Sequence, residues 1–333
     1  MLATVVVARG PQHSANCHRS NCMVSLSINQ RLTNFLDNWS RRLVASQRKP
    51  PYLYRVLNTA QILGHPLARN RQVETLLRIA HWQIKSRLQR EIVFPWIANQ
   101  KLVVQRGMAA ATGNIYVGLY EFADMMFVLH FLRRGDLFFD IGANIGTYTV
   151  LASGVCGAKT WAFEPDKDAI GALNRNIAIN NLQDLVRIHD MAVGDSDQQV
   201  AFTTSRGTEN RVAETGGIDC RSVQQMRIDS VIGDAWPIFA KLDIEKGEEQ
   251  ALRGGKSLLK RLQAISLETI SPWSLNALSE HGFGRMFYDP FTRSLSTEPM
   301  GPPFANALFV KDFEIVKKRV ASASEITIFG RSI

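Results

Sequence analysis

The stretch LFFDIGANIGTYTVLAS (Leu137–Ser153) runs from an apolar strand pattern through Asp140 into a glycine-spaced turn and on into small and β-branched residues. A strand, a glycine turn and a helix make a nucleotide site, because a helix N-terminus offers free N–H groups and positive dipole charge. A dinucleotide site wants three glycines as G-x-G-x-x-G, the second so that the backbone can approach a pyrophosphate. Here Gly142 and Gly146 flank Asn144. Asparagine tolerates positive φ better than most non-glycine residues, so the turn survives. Its side chain fills the space a pyrophosphate needs. That favours a nucleoside ligand without one, S-adenosylmethionine being the commonest for this architecture.

Around this stretch, strands and helices alternate. Strands are predicted at 137–141, 160–163, 186–189, 238–242 and 264–269, with helices at 146–155, 167–180, 248–262 and 272–281. Alternation with short loops argues for a parallel sheet covered on both faces. GRMFYD and NALFVKDF flank a turn-rich loop and read as an antiparallel strand pair closing the sheet edge. Upstream, helices are expected from Arg31 to Arg48, from Tyr52 to Leu63 and from Asn70 to Ile92. In the last of these, Val73, Leu76, Leu77, Ile79, Ala80, Ile84 and Leu88 supply an apolar stripe. KLVVQ and NIYVGLY read as short β-like runs, and a helix is expected over 121–132.

The 333 residues accommodate one large domain and an accessory region, at roughly 150 residues per domain. A 45% hydrophobic and 21% charged composition is that of a globular chain. No run reaches the ~18 apolar residues of a membrane span. The net charge of +9 is lopsided: residues 1–110 hold 16 Lys/Arg against 3 Asp/Glu, and residues 111–333 hold 23 against 27. Such a basic end suits an anionic partner, namely acidic lipid, phosphorylated glycan or nucleic acid, or a solvated helix surface. No nucleic-acid motif accompanies the charge, so none is expected as partner; residues 31–92 are instead expected to dock on an anionic surface, such as a membrane carrying a glycolipid acceptor.

Cys17 and Cys22 lie with His13 and His18 in HSANCHRSNC, but no second close pair completes a zinc site, and no metal is expected. Few, scattered cysteines suit a reducing, cytoplasmic compartment. MLATVVVARG lacks the basic region of a secretory signal. Residues 1–30 are expected to be a disordered leader, with Met23 an alternative start.

Glu164, in WAFEPD, sits where a side chain at a strand's C-terminal end accepts hydrogen bonds from both ribose hydroxyls. With YVGLYE, FFDIGANIGTYT, FEPD, RIDSVI and KLDIEKGEEQALRGG in this order, the chain resembles the FkbM family of S-adenosylmethionine-dependent methyltransferases over roughly residues 110–312. The resemblance implies an α/β class I methyltransferase (Rossmann-like) fold in residues 96–333, behind a basic helical region at 31–95. It also implies methylation of a hydroxyl on a sugar, glycolipid or polyketide-type acceptor. On matching positions, Asp140, Gly142, Asn144 and Gly146 would hold the methionine end of the cofactor and Glu164 the ribose. Asp190 and Met191 would border the adenine, and Tyr120 and Glu121 would help close the site.

An alcohol acceptor must also lose its proton. Ligands of parallel α/β sheets meet at the strands' carboxyl ends, where Asp243 is the first candidate general base, Glu245 the second, and Glu268 an acceptor-orienting group. His189 reads as a packed strand residue. The family usually has glycine after K-x-D-x-E, whereas this chain has Lys246 and then Gly247. If the turn needs positive φ there, Lys246 strains it; otherwise the lysine points into the acceptor pocket and reads an anionic substrate. Two rival functions follow: a NAD-dependent oxidoreductase, disfavoured by Asn144, and a methyltransferase-like binding module without catalysis, suggested by Lys246.

Overall fold

The computed structural model describes residues 51–204, 210–212, 219–302 and 306–333. The expected leader, the helix from Arg31 to Arg48 and the HSANCHRSNC segment lie outside them.

Two helices, Pro51–Gly64 and Gln72–Leu88, open the described chain. The second ends four residues before the Ile92 expected, because Glu91–Pro95 (β1) pairs antiparallel with Lys101–Gln105 (β2). This hairpin straddles the boundary expected between residues 95 and 96. It is held to the helix Lys167–Ile179 by side-chain amides: Val103 N donates to Asn176 Oδ1 at 2.6 Å, and Lys101 N to Asn180 Oδ1 at 2.7 Å.

NIYVGLY is not strand. Its first four residues complete the helix Ala109–Val117, led by three alanines and stopped at Gly118. This helix is buried nearly all round, so it lacks the one-sided period that marks a surface helix. Phe122–Phe131 follows as a fully buried helix.

The main sheet contains Leu137–Ile141 (β3), Lys159–Phe163 (β4), Val186–His189 (β5), Phe239–Leu242 (β9), Ala264–Leu267 (β10), Gly284–Asp289 (β11), Ser294–Ser296 (β12) and Ala307–Val310 (β13). Their order across the sheet is β12-β11-β13-β10-β9-β3-β4-β5. β5, β4, β3, β9 and β10 run parallel, and β13 inserts antiparallel between β10 and β11. This is the α/β class I methyltransferase fold, with the expected antiparallel strands at one edge. Between β5 and β9, Ala192–Val193 (β6), Gln198–Thr203 (β7) and Cys220–Met226 (β8) form a small second sheet, absent from the sequence expectations because its glutamine-rich strands carry little apolar alternation. Thr327–Ile328 (β14) and Arg331–Ser332 (β15) close the chain as a hairpin.

Alternating residues of the central strands feed two cores. Phe138 and Phe239 join one with the helices around Phe127, Leu151 and Leu173; Phe139, Ile141, Ala240 and Leu242 join the other with Leu252, Leu258 and Leu278. The strands are buried on both faces, as parallel strands under helices must be. Two expected helices are modified. Residues 147–155 begin as α-helix and continue as a π-helical turn from Leu151 to Val155. The helix expected over 248–262 breaks at Gly254–Gly255, where a side chain on Gly254 would run into the carbonyl of Gly194.

Candidate active site

β3 and β9 are neighbours in register, with Asp140 opposite Lys241. Both side chains share the sheet face of Phe138 and Phe239, and both are almost completely buried. Their strands end in turns that abut. At Gly142 φ is +84°, and a Cβ there would collide with the carbonyl oxygen of Asp243. The glycine is therefore required by the neighbouring turn as well as by its own conformation. Asn144 adopts φ 51°, the left-handed conformation its residue type tolerates. Gly146, at φ 87°, leads into the helix beginning at Thr147.

Glu164, leaving β4, reaches back to this turn. Its Oε2 accepts the Asn144 N–H at 2.8 Å and its Oε1 the Asp166 N–H at 2.8 Å. Burial pushes the carboxyl up to about 7, against those two bonds. Asp140 Oδ2 accepts from Thr149 Oγ1 at 2.6 Å. Its Oδ1 is buried without a hydrogen-bond partner. Burial raises the Asp140 pKa despite the Lys241 ammonium nearby.

A cleft of about 260 Å³ opens at the carboxyl ends of β3, β9 and β10. It brings together Glu121, Gly142, Asn144, Asp243, Glu245 and Glu268 of the predicted residues, with Tyr120 at its wall. Asp140, Gly146, Glu164, Asp190 and Met191 are not in that wall. Glu164 communicates with it through the Asn144 amide. Met191 is buried in the second core, and Asp190 pairs with Lys167 at the surface. His189 stacks on Phe163, ring centroids 4.6 Å apart, as a packed strand residue would.

The cleft's floor is electrostatic. Lys241 Nζ lies 2.5 Å from Asp243 Oδ2 and 4.5 Å from the centroid of the Tyr148 ring. Burial works against the ammonium, yet Asp243, Glu121 and Asp140 together hold its pKa above the usual lysine value. Tyr148 donates its phenol hydrogen to Glu121 and is kept un-ionised by burial first and the surrounding acids second. Burial alone would raise Asp243, but Lys241 keeps it below the ordinary carboxylate range. The carboxyl groups of Asp243, Glu245 and Glu268 approach within 4.8 Å of one another. Glu268, at the end of β10, is pushed up to about 8 by burial and then by Asp243 and Glu245. At neutral pH the Asp243–Glu268 pair therefore carries one proton, held mainly on Glu268.

The loop carrying these acids is strained. Glu245 adopts φ 55° and Lys246 φ 77°, whereas Gly247, at φ −90°, makes no use of a glycine's freedom. Lys246 is exposed and does not line the cleft. The buried Glu248 braces the turn, accepting the Ile244 N–H at 3.1 Å and the Thr269 hydroxyl. Sequence reasoning passed over Lys241 and Tyr148. The lysine stood inside the K-x-D-x-E segment, where a cation two residues before an acid on a strand predicts both on one face. Nothing in the sequence marked Tyr148 apart from an aromatic in the first helical turn after Gly146.

The sequence profile of the Methyltransferase FkbM domain matches residues 140–287. Among solved structures, the chain is similar to methyltransferase FkbM from Methylobacillus flagellatus KT, at 17% identity over 83% of this chain and 70% of that one, TM-score 0.39. It is also similar to an rRNA methylase from Streptococcus thermophilus, at 16% identity over 56% of this chain and 93% of that one, TM-score 0.34. A putative methyltransferase from Streptococcus mutans in complex with SAH matches at 13% identity over 56% of this chain and 95% of that one, TM-score 0.34. Likenesses this distant transfer no residue role. No curated protein sequence matches the chain. With the domain profile running from the acid at the head of the first turn into β11, residues 140–287 carry a methyltransferase domain of the FkbM family.

Proposed function

We propose that this methyltransferase uses S-adenosylmethionine to methylate a hydroxyl on a sugar, glycolipid or polyketide-type acceptor. The observation that carries the cofactor reading is the turn after β3, with Asn144 at φ 51° where a dinucleotide site wants glycine and its amide bonded to Glu164. The buried, unpartnered Asp140 Oδ1 suits a donor on the ligand. A wall rich in carboxylates, from Glu121, Asp243 and Glu245, suits a ligand bearing an ammonium and a sulfonium. Asp140, Gly142, Asn144 and Gly146 would hold the methionine end, Glu164 the ribose, and Asp190 with Met191 the adenine edge.

When bound, S-adenosylmethionine supplies a methyl group already activated for transfer. The chain's own task is to position the acceptor and take its hydroxyl proton. The Asp243–Glu268 pair is the group suited to that proton. With one proton already on Glu268, a second would have to be held beside the Lys241 ammonium, which is unfavourable. The competent base is therefore the pair after Glu268 has ionised, with Glu245 adding negative charge that raises its basicity.

Calorimetric titration with S-adenosylhomocysteine, S-adenosylmethionine and NADH tests the reading. Both adenosyl ligands should bind and NADH should not, and Glu164→Ala should weaken adenosyl binding by roughly tenfold or more, as loss of a charge-assisted hydrogen-bond pair would. NADH binding without adenosyl binding would install the oxidoreductase reading instead.

A further inference from the structure

The helix Gln72–Leu88 is packed inside out. Its buried residues are Gln72, Thr75, Trp82 and Ser86. Two further polar residues hold it to the helix Ala109–Val117: Arg78 Nε donates to the Tyr116 carbonyl at 2.8 Å, and Gln83 Nε2 to the Tyr116 hydroxyl at 3.0 Å. Of the apolar stripe read from the sequence, Ile79 packs against the core and the rest faces out. Val73 is 64% exposed, Leu77 65%, Ile84 63% and Leu88 79%, with Leu76 at 42%. Five large apolar side chains on one exposed helix face are a patch that calls for a partner.

Charge says which partner. At 3.6 residues per turn, Lys85 falls beside the stripe and Arg87 within it, between Leu76 and Val73; Arg69 and Arg90 stand exposed beyond its two ends, and Glu74 is the helix's single acid. Residues 1–50 add seven Lys/Arg against Asp37 alone, whereas residues 111–333 have four more acids than bases. A protein partner of ordinary charge would not use this polarity. An anionic lipid surface uses both parts, burying the apolar stripe at the headgroup boundary while the flanking cations meet lipid charge and the acidic remainder is turned away.

We propose that the outer face of the helix Gln72–Leu88 docks the protein on an anionic membrane surface. The docked helix is one helix removed from the cleft, since Ala109–Val117 lies against it and contributes Ala111 to the cleft wall. Resting on the methyltransferase reading above, docking therefore sets the acceptor cleft close to a lipid-borne hydroxyl.

The test is co-sedimentation of the full chain with phosphatidylcholine vesicles, with and without phosphatidylglycerol, at low and high salt. Binding should require phosphatidylglycerol and fall with salt. Leu77→Asp combined with Ile84→Asp should reduce it by roughly tenfold or more, with melting temperature and solution mass unchanged. Four results would overturn the proposal. One is no binding to anionic vesicles at low salt, and another is binding that the double variant leaves intact. A third is a lower melting temperature in the double variant, meaning that the chain's own preceding segment covers the stripe. The fourth is a fall in solution mass, meaning that a second copy does. S-adenosylhomocysteine titration of the same samples reads the cleft separately, so that either result can fail without the other.

Discussion

The two turns that meet over the cleft, Gly142–Gly146 and Asp243–Gly247, solve the same problem in opposite ways. Each ends a central strand and needs left-handed backbone. In the first, that conformation falls on Gly142, Asn144 and Gly146, residue types that adopt it at little cost. In the second it falls on Glu245 and Lys246, where each such residue costs roughly 1–2 kcal/mol. The first turn is thus stable by local composition. The second is held from outside by Glu248, Thr269 and the Gly142 contact. Strain is tolerated where it sets carboxylates in the cleft, and the first turn, which offers backbone groups to the proposed cofactor site, needs none.

The contact between the turns is the place to break both at once. Gly142→Ala puts a Cβ into the Asp243 carbonyl at a φ that alanine resists. The loss of stability should be about 3 kcal/mol or more, as for other sites combining a buried clash with a disallowed conformation. Urea unfolding measures it. A loss under about 1 kcal/mol would mean that the two turns separate freely and that the second is not braced by the first.

The difference between the turns also explains how much was legible in the sequence. The first turn was readable, down to Asn144 at positive φ, because each residue's own preference agrees with its place. The central strands were readable for the same reason, being short, largely apolar runs bounded by turn signals. Helix Ala109–Val117 was not, because complete burial erased its period and left Ile115, Tyr116 and Val117 to be read as strand. Helix Gln72–Leu88 was readable as a helix but not as to which side it buries. Periodicity locates an apolar face without saying whether protein or something else covers it. The strain at Lys246 was anticipated only as a condition, since residue types at a turn do not reveal its dihedrals. Lys241 was in view without a role, because its effect on Asp243 depends on burial that the four residues of β9 do not announce.

The acids of the second turn can be sharpened by pH. Glu268 is raised to about 8 from an ordinary value of 4.5. Because the folded state holds a proton that the unfolded chain has lost over that interval, its contribution to stability is fully present below the unfolded pKa and declines as pH rises through about 8. Glu268→Gln should flatten that decline in thermal unfolding measured from acid to alkaline pH. In the wild-type enzyme, methyl transfer should increase as pH passes about 8, and in the glutamine variant that inflection should disappear. Activity with the inflection unchanged in the variant would assign the titration to another group and return the proton to Asp243 alone.

The smallest effect discriminates most finely. Lys246→Gly removes one strained residue from the second turn and brings it closer to the logic of the first. Relief of left-handed strain is partly offset by the larger entropy a glycine loses on folding, leaving a gain of about 0.5–1 kcal/mol. If the lysine is merely tolerated in an exposed turn, urea unfolding will show that gain while kcat and KM hold. If the side chain serves an anionic acceptor from the rim, stability will rise and KM for that acceptor will rise with it, leaving kcat unchanged, because a rim cation contributes binding that is equal in ground and transition states. A loss of stability would mean that the stem of Lys246 packs against the loop more than its φ strains it, and the turn would then be held by its own side chains, as the first turn is by its residue types.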